Sequence, residues 1–225
     1  MQSLLSSPLT LHPSQGSIMI AIIDYGMGNL RSVQKGFEKV GFEAVVTADP
    51  KVVLEAEKVV LPGVGAFRDC MRNLEQGGFV EPILKVIRDG RPFLGICVGM
   101  QLLLTDSVEF GLYQGLNVIP GHVLRFPDGM EENGEKLKVP HMGWNQLSIR
   151  RPAPILAGIE DGANVYFVHS YYEMPDDETA VAATATYGVQ FCAALWKDNV
   201  MATQFHPEKS QAVGLRMLKN FGEFT

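Results

Sequence analysis

The first clear pattern in the chain is Ile18-Met19-Ile20-Ala21-Ile22-Ile23, an unbroken apolar run closed by Asp24-Tyr25-Gly26. A short run with no polar alternation fits a strand covered on both faces. Leu30, Val33, Phe37 and Val40 then recur at helical spacing, with Gly41 at a stop position, and predict a helix. Residues 42–47 and 58–61 read as two more strands, the second running into Pro62-Gly63-Val64-Gly65. Val80, Ile83, Leu84 and Ile87 mark another helical face ended by Gly90, before a strand over 92–96 and a helix over 98–104. Strands alternating with helices of this size build βαβ units, hence a parallel sheet with helices on both faces.

After Val123 the rhythm changes. Strand-like runs at 123–126, 165–168, 180–186, 191–196 and 200–204 follow one another without long helices between them. They predict mixed or antiparallel strands added to the sheet. Residues 210–221, with Val213, Met217, Leu218 and Phe221 on one face, predict a closing helix. The expected fold is α/β: a three-layer sandwich around a mostly parallel sheet with added antiparallel strands.

At 225 residues the chain is long enough to bury a core without disulfides or a structural metal. Residues 1–17 carry no Lys, Arg, Asp or Glu, hold five serines and two prolines, and show no helical period. They resemble neither a secretory signal nor a transit peptide, and a poorly ordered extension is expected there, with one domain over 18–225. Lys plus Arg is 19 against 25 for Asp plus Glu, a net charge of −6, which argues against nucleic acid as a partner. The longest apolar runs fall far short of the ~20 residues a membrane span requires. Three cysteines suit a reducing, cytoplasmic setting better than a disulfide scaffold. The five histidines show no metal-ligand spacing, and neither a metal nor a cofactor is expected.

The chemistry concentrates at Gly95-Ile96-Cys97-Val98-Gly99, where a predicted strand turns into a predicted helix. This is the G-x-nucleophile-x-G form of a nucleophile elbow, in which small residues two places either side let the turn tighten. A thiol at a helix amino terminus is favoured as thiolate, the attacking species. Its natural base is in His206-Pro207-Glu208, directly after the 200–204 strand, since open α/β folds gather their sites at the carboxyl ends of strands. Glu208 would then orient the imidazole. Donors for a developing oxyanion are available from the loop of Val64 and Gly65 and from the Val98 N–H. Gln101 lies four residues after Cys97, on the same helix face. Cys70 and Cys192 sit in apolar surroundings and read as packing.

Gly95 to Gln101 with His206-Pro207-Glu208 resembles the class I (triad) glutamine amidotransferase family, whose fold is flavodoxin-like. Within it, Asp24 to Leu30, Pro62 to Phe67 and Pro140 to Asn145 are similar to glutaminase subunits that serve a cyclase in histidine biosynthesis. The resemblance runs from about Met19 to the carboxyl terminus. It implies that Cys97 attacks the side-chain amide of L-glutamine, that His206 protonates departing ammonia and later activates water, and that Glu208 orients His206. It further implies that Gln101, Glu109 and Gly63, with His169-Ser170-Tyr171, hold the substrate. Ammonia would pass to a separately encoded (β/α)8 cyclase that makes imidazole glycerol phosphate, docked through Met142, Trp144 and Lys209. It also implies a glutaminase silent until that partner binds its nucleotide, with Val64 placed to switch an oxyanion donor.

Other readings are a glutaminase subunit of a different amidotransferase and a cysteine peptidase or hydrolase on the same elbow. A nucleotide-binding module built on Asp24 to Asn29 lacks its third glycine, because position 31 is Arg31.

Overall fold

The computed structural model describes residues 19–132 and 134–225. The extension expected over 1–17 lies outside them. The predicted alternation is present in the first half: β1 (Ile20–Ile23), α1 (Leu30–Lys39), β2 (Ala44–Thr47), α2 (Pro50–Glu55), β3 (Lys58–Gly63), α3 (Phe67–Gln76), α4 (Val80–Arg88), β4 (Phe93–Cys97) and α5 (Val98–Gln101). The second half supplies β5 (Gly121–Arg125), β6 (His141–Gln146), β7 (Asn164–His169), β8 (Tyr171–Pro175), β9 (Val181–Tyr187), β10 (Val189–Lys197), β11 (Val200–Thr203) and α6 (Gln211–Glu223), besides two-residue strands left unnumbered.

The main sheet runs in the order β2, β1, β3, β4, β11, β10, β8, β5, then two short strands. Its first five members are parallel, and the long strands from β10 to β5 pair antiparallel, as the change of rhythm after Val123 predicts, while the short strand at 106–107 lies parallel to β5. β9 joins through β10, and β6 and β7 form a separate antiparallel pair. All of Ile20–Ile23 and Phe93–Cys97 is buried, the signature of strands covered on both faces. Helices pack around the sheet: α1 lies against α6, where the Phe37 and Phe221 rings are 6.0 Å apart, and α2 lies against α4. No helix among the described residues is long and apolar enough to cross a membrane.

The pattern misses several elements. The signal for α2 is a cap rather than a period: Asp49 accepts from the Lys51 N–H and Pro50 stands at the first helical position. α3 buries Phe67, Cys70, Met71 and Leu74, a true i, i+3, i+4, i+7 face thinned by the arginines and acids around it. The helix predicted over 98–104 stops at Gln101. The carbonyls of Leu102, Leu103 and Leu104 accept instead from N–H groups of residues 116–119, so the buried leucines serve the sheet edge. β6 is hidden because its first inward residue is His141, which breaks the apolar alternation. On α6, Val213 is only half-buried and glycines at 214 and 222 take up the tight contacts.

Candidate active site

Three neighbouring parallel strands bring the chemistry together. β3 ends at Gly63, which lies opposite Cys97 at the end of β4, while Thr203 at the end of β11 lies opposite Ile96. Residues far apart in the chain therefore meet at one carboxyl edge of the sheet, where open α/β folds place ligands. Cys97 takes φ 56° and ψ −117°, a conformation that costs a non-glycine residue about 1 to 3 kcal/mol and that turns the chain sharply from strand to helix. Its glycines are obligatory: a Cβ on Gly95 would stand 2.7 Å from the Gly99 carbonyl oxygen, and one on Gly99 would run into the Leu61 carbonyl. With four residues, α5 offers the sulfur nearby N–H groups rather than a long macrodipole.

His206 follows β11 and is buried. Its Nδ1 is 2.8 Å from Glu208 Oε1, and both side chains are almost fully enclosed. The loop is pinned by Ser210, whose hydroxyl donates to the His206 carbonyl at 2.7 Å and accepts from the Tyr166 N–H at 3.0 Å. Burial pushes the imidazole down, but Cys97 and Glu208 outweigh it and raise His206 to about 10. Nε2 of His206 and Oε2 of Glu208 are buried with no hydrogen-bond partner among the described residues, which leaves one ring nitrogen free.

Cys97, Val98 and His206 line a cavity of about 300 Å³ together with Val64, Gly65, Gln101, Glu109, His169, Ser170 and Tyr171, joined by Pro140 and Val168. A more open hollow of about 790 Å³, lined by Trp144, Asp161, Arg216 and the start of α6, includes neither Cys97 nor His206, so size does not select the site. Gly63 lies behind the elbow rather than in the cavity wall: a Cβ there would meet the Gly99 nitrogen at 2.8 Å. Tyr25 braces that loop by donating to the Pro62 carbonyl at 2.9 Å, and the Val64 carbonyl accepts a contact from Cys70 Sγ at 3.5 Å. Cys70 and Cys192 are buried free thiols, in keeping with packing roles.

Elsewhere in the cavity wall, Gln101 donates to the Tyr171 carbonyl at 3.2 Å and to the Gln204 side-chain oxygen at 2.8 Å. Glu109 is no solvated loop acid: it accepts the N–H of Phe67, the first residue of α3, at 2.6 Å, and burial raises its carboxyl above the usual range. His169 donates from Nδ1 to the Tyr171 carbonyl at 2.8 Å, and its Nε2 is 3.0 Å from His141 Nδ1. Met142 is 62% exposed and Trp144 48%, so neither is core packing, and Lys209 Nζ stands 5.8 Å from the Tyr166 ring centre. Tyr25, Ser210, Gln204 and Glu173 escape sequence reasoning, because nothing in their neighbours marks where their side chains end up.

A family model described as glutamine amidotransferase class-I matches residues 21–223. Imidazole glycerol phosphate synthase subunit HisH of Geobacter sulfurreducens is 88% identical over 204 residues, covering 91% of this chain and 98% of the relative. The protein of the same name from Syntrophotalea carbinolica is 72% identical, covering 91% and 100%. Among solved structures, a glutamine amidotransferase superposes with a TM-score of 0.69 at 18% identity, covering 90% of this chain and 98% of that one. PurLQS from Thermotoga maritima reaches 0.65 at 20% identity, covering 91% and 95%; both likenesses speak to the fold. By sequence and by architecture the chain belongs to the class I glutamine amidotransferase family, with the HisH subunits of imidazole glycerol phosphate synthase.

Proposed function

We propose that this cavity hydrolyses L-glutamine to glutamate and ammonia, and that the chain is the glutaminase subunit of an imidazole glycerol phosphate synthase of histidine biosynthesis. The observation that carries the mechanism is the meeting of a strained cysteine, a buried histidine and a carboxylate at adjacent strand ends. Cys97 as thiolate attacks the amide carbon, and the oxyanion takes hydrogen bonds from the Val98 N–H and the loop of Val64 and Gly65. His206, protonated because Cys97 and Glu208 outweigh its burial, gives its proton to the leaving nitrogen, and ammonia departs from a thioester. The neutral ring then takes a proton from water, which adds to the thioester and releases glutamate. Glu208 keeps the ring's Nδ1 occupied throughout. Gln101, Glu109, Ser170 and Tyr171 hold the amino-acid end of the substrate, with His169 supporting the Tyr171 backbone and Gly63 supporting the elbow.

Ammonia released into water near neutral pH becomes mostly ammonium and stops being a nucleophile, so it must be handed over dry. The relatives are named as subunits of a synthase. The acceptor is then a separate (β/α)8 cyclase in the cytoplasm, seated on the exposed Met142 and Trp144 and on Lys209. The test is glutamate release by wild type and Cys97→Ala, each mixed with the cyclase. Wild type turns over and the variant falls at least about a thousandfold; equal release from both removes Cys97 from the mechanism.

A further inference from the structure

Beside the elbow lies a carboxyl group that the mechanism above does not use. Glu173 sits in the middle of β8, opposite Cys192 of β10 and Val123 of β5, and is 1% exposed. Among the described residues it forms no ion pair with Lys, Arg or His. Both of its oxygens face the side-chain amide of Gln204, itself fully buried two residues before His206, at 2.8 and 3.2 Å. The amide atom they face is also 2.8 Å from Gln101 Nε2, and the other amide atom is 3.7 Å from Cys97 Sγ.

That amide can be turned two ways. With its nitrogen toward Glu173 it would satisfy an ionised carboxylate, but it would set N–H against the N–H of Gln101 and turn its oxygen on the Cys97 sulfur. Gln101 cannot simply turn as well, because its own N–H is held by the Tyr171 carbonyl at 3.2 Å. With its oxygen toward Glu173 it accepts from Gln101 and offers N–H to the sulfur, provided the carboxyl holds a proton and donates it. The first arrangement also offers an N–H to the Tyr171 carbonyl at 3.3 Å, but that oxygen already accepts from Gln101 and His169; the second alone sets no N–H against N–H, at the cost of bringing the Gln204 oxygen within 3.3 Å of that carbonyl.

We infer that Glu173 is a positioning residue: as a neutral acid it donates to the Gln204 amide oxygen and thereby fixes the Gln204 N–H on the sulfur of Cys97. Burial without a cation favours that neutral form and raises the carboxyl well above the usual range. The titratable groups set against it are Cys97 and Cys192: a thiolate at Cys97 opposes a second negative charge on Glu173, and burial raises the Cys192 thiol. A hydrogen bond to a charged partner is stronger than one to a neutral partner, so the Gln204 N–H favours thiolate from a direction independent of His206. The inference rests on the reading of Cys97 as the attacking thiolate.

The experiment follows alkylation of Cys97 by iodoacetamide against pH in the complex with the cyclase, the labelled cysteine being identified by peptide mass spectrometry. Glu173→Met and Gln204→Met each move the profile about one unit to higher pH and slow labelling at pH 7 about tenfold, and kcat falls while KM holds. Glu173→Gln, whose amide N–H replaces the acid's O–H, restores labelling to within about twofold of wild type. A folded Glu173→Met with an unmoved profile overturns the inference, as does a Glu173→Gln profile displaced as far as that of Glu173→Met. If Glu173→Met does not fold, Gln204→Met decides, and an unmoved profile there overturns it. Labelling needs no glutamine, so a chain that fails to release glutamate yet shows these shifts refutes the glutaminase reading and leaves the positioning role standing.

Discussion

Two buried pairs built on histidine lie around the same cavity, and the protein drives them in opposite directions. His206 stands beside Glu208 and Cys97 and is raised to about 10, although burial alone would lower it. His169 and His141 face each other with no carboxylate in contact among the described residues, so burial wins: His169 falls to about 3, helped by its histidine neighbours, and His141 to about 4. Their hydrogen bonds agree with neutral rings, since Asn145 can donate to His141 Nε2 at 3.3 Å, His141 to His169, and His169 to the Tyr171 carbonyl. Enclosure is common to both pairs. What separates them is whether an anion shares the enclosure, and that decides which pair can move a proton near neutral pH and which serves as scaffold.

The sharpest way to break this contrast is to remove the raised ring. His206→Asn should lower kcat for glutamine about a thousandfold in the presence of the cyclase while leaving the melting transition near that of wild type. His169→Asn should show the reverse emphasis, with the larger change in thermal unfolding; similar profiles for the two variants would erase the distinction. Next in size is Glu208→Gln, which keeps a hydrogen bond to Nδ1 but removes the charge, with kcat falling about a hundredfold and the limb of the rate profile that reports His206 moving to lower pH, since Glu208 is one of the groups that raise the ring. If kcat barely changes, Glu208 contributes shape rather than charge.

The lowered pair predicts a stability effect of definite sign. Both rings are neutral when folded and take up protons below about 6.5 when unfolded, so their contribution is complete above that pH and drains away as pH falls toward about 4 and about 3. Urea unfolding should lose on the order of 2 kcal/mol per ring, about 4 kcal/mol from the pair, between pH 7 and pH 5. A His141→Phe, His169→Gln double variant should flatten that slope. The smallest expected effect is at the end of the relay: Asn145→Ala removes a donor to His141 and another to the Thr186 carbonyl, costing about 1 kcal/mol with little change in glutamine turnover.

Much of this site could be read in the chain because its parts are local. The elbow announces itself at Gly95, Cys97 and Gly99, since a strand-to-helix turn that tight has few sequence solutions, and His206 to Glu208 form one short segment whose members already touch. Gln101 shares a helical face with Cys97 over a single turn. Gly63 shows the limit of such reading: its motif is plain, but whether it lines the cavity or backs the elbow depends on how β3 and β4 stand in register. The end of α5 at Gln101 is a similar case, since Leu102 to Leu104 continue the apolar pattern and yield to hydrogen bonds from residues 116–119.

Alternation of apolar runs and helical faces was enough for the α/β class, the parallel first half and the chemistry of the elbow, because each depends on neighbours within one or two turns of chain. Which side chains would surround the sulfur was settled only when β3, β4 and β11 aligned and β8 closed in beside β10. Charge states went with that choice. A histidine, a glutamine or a glutamate carries no mark in its own segment of the anions, donors and loss of water it will meet, and those reach it from segments as far as 107 residues away, as Gln204 meets Cys97.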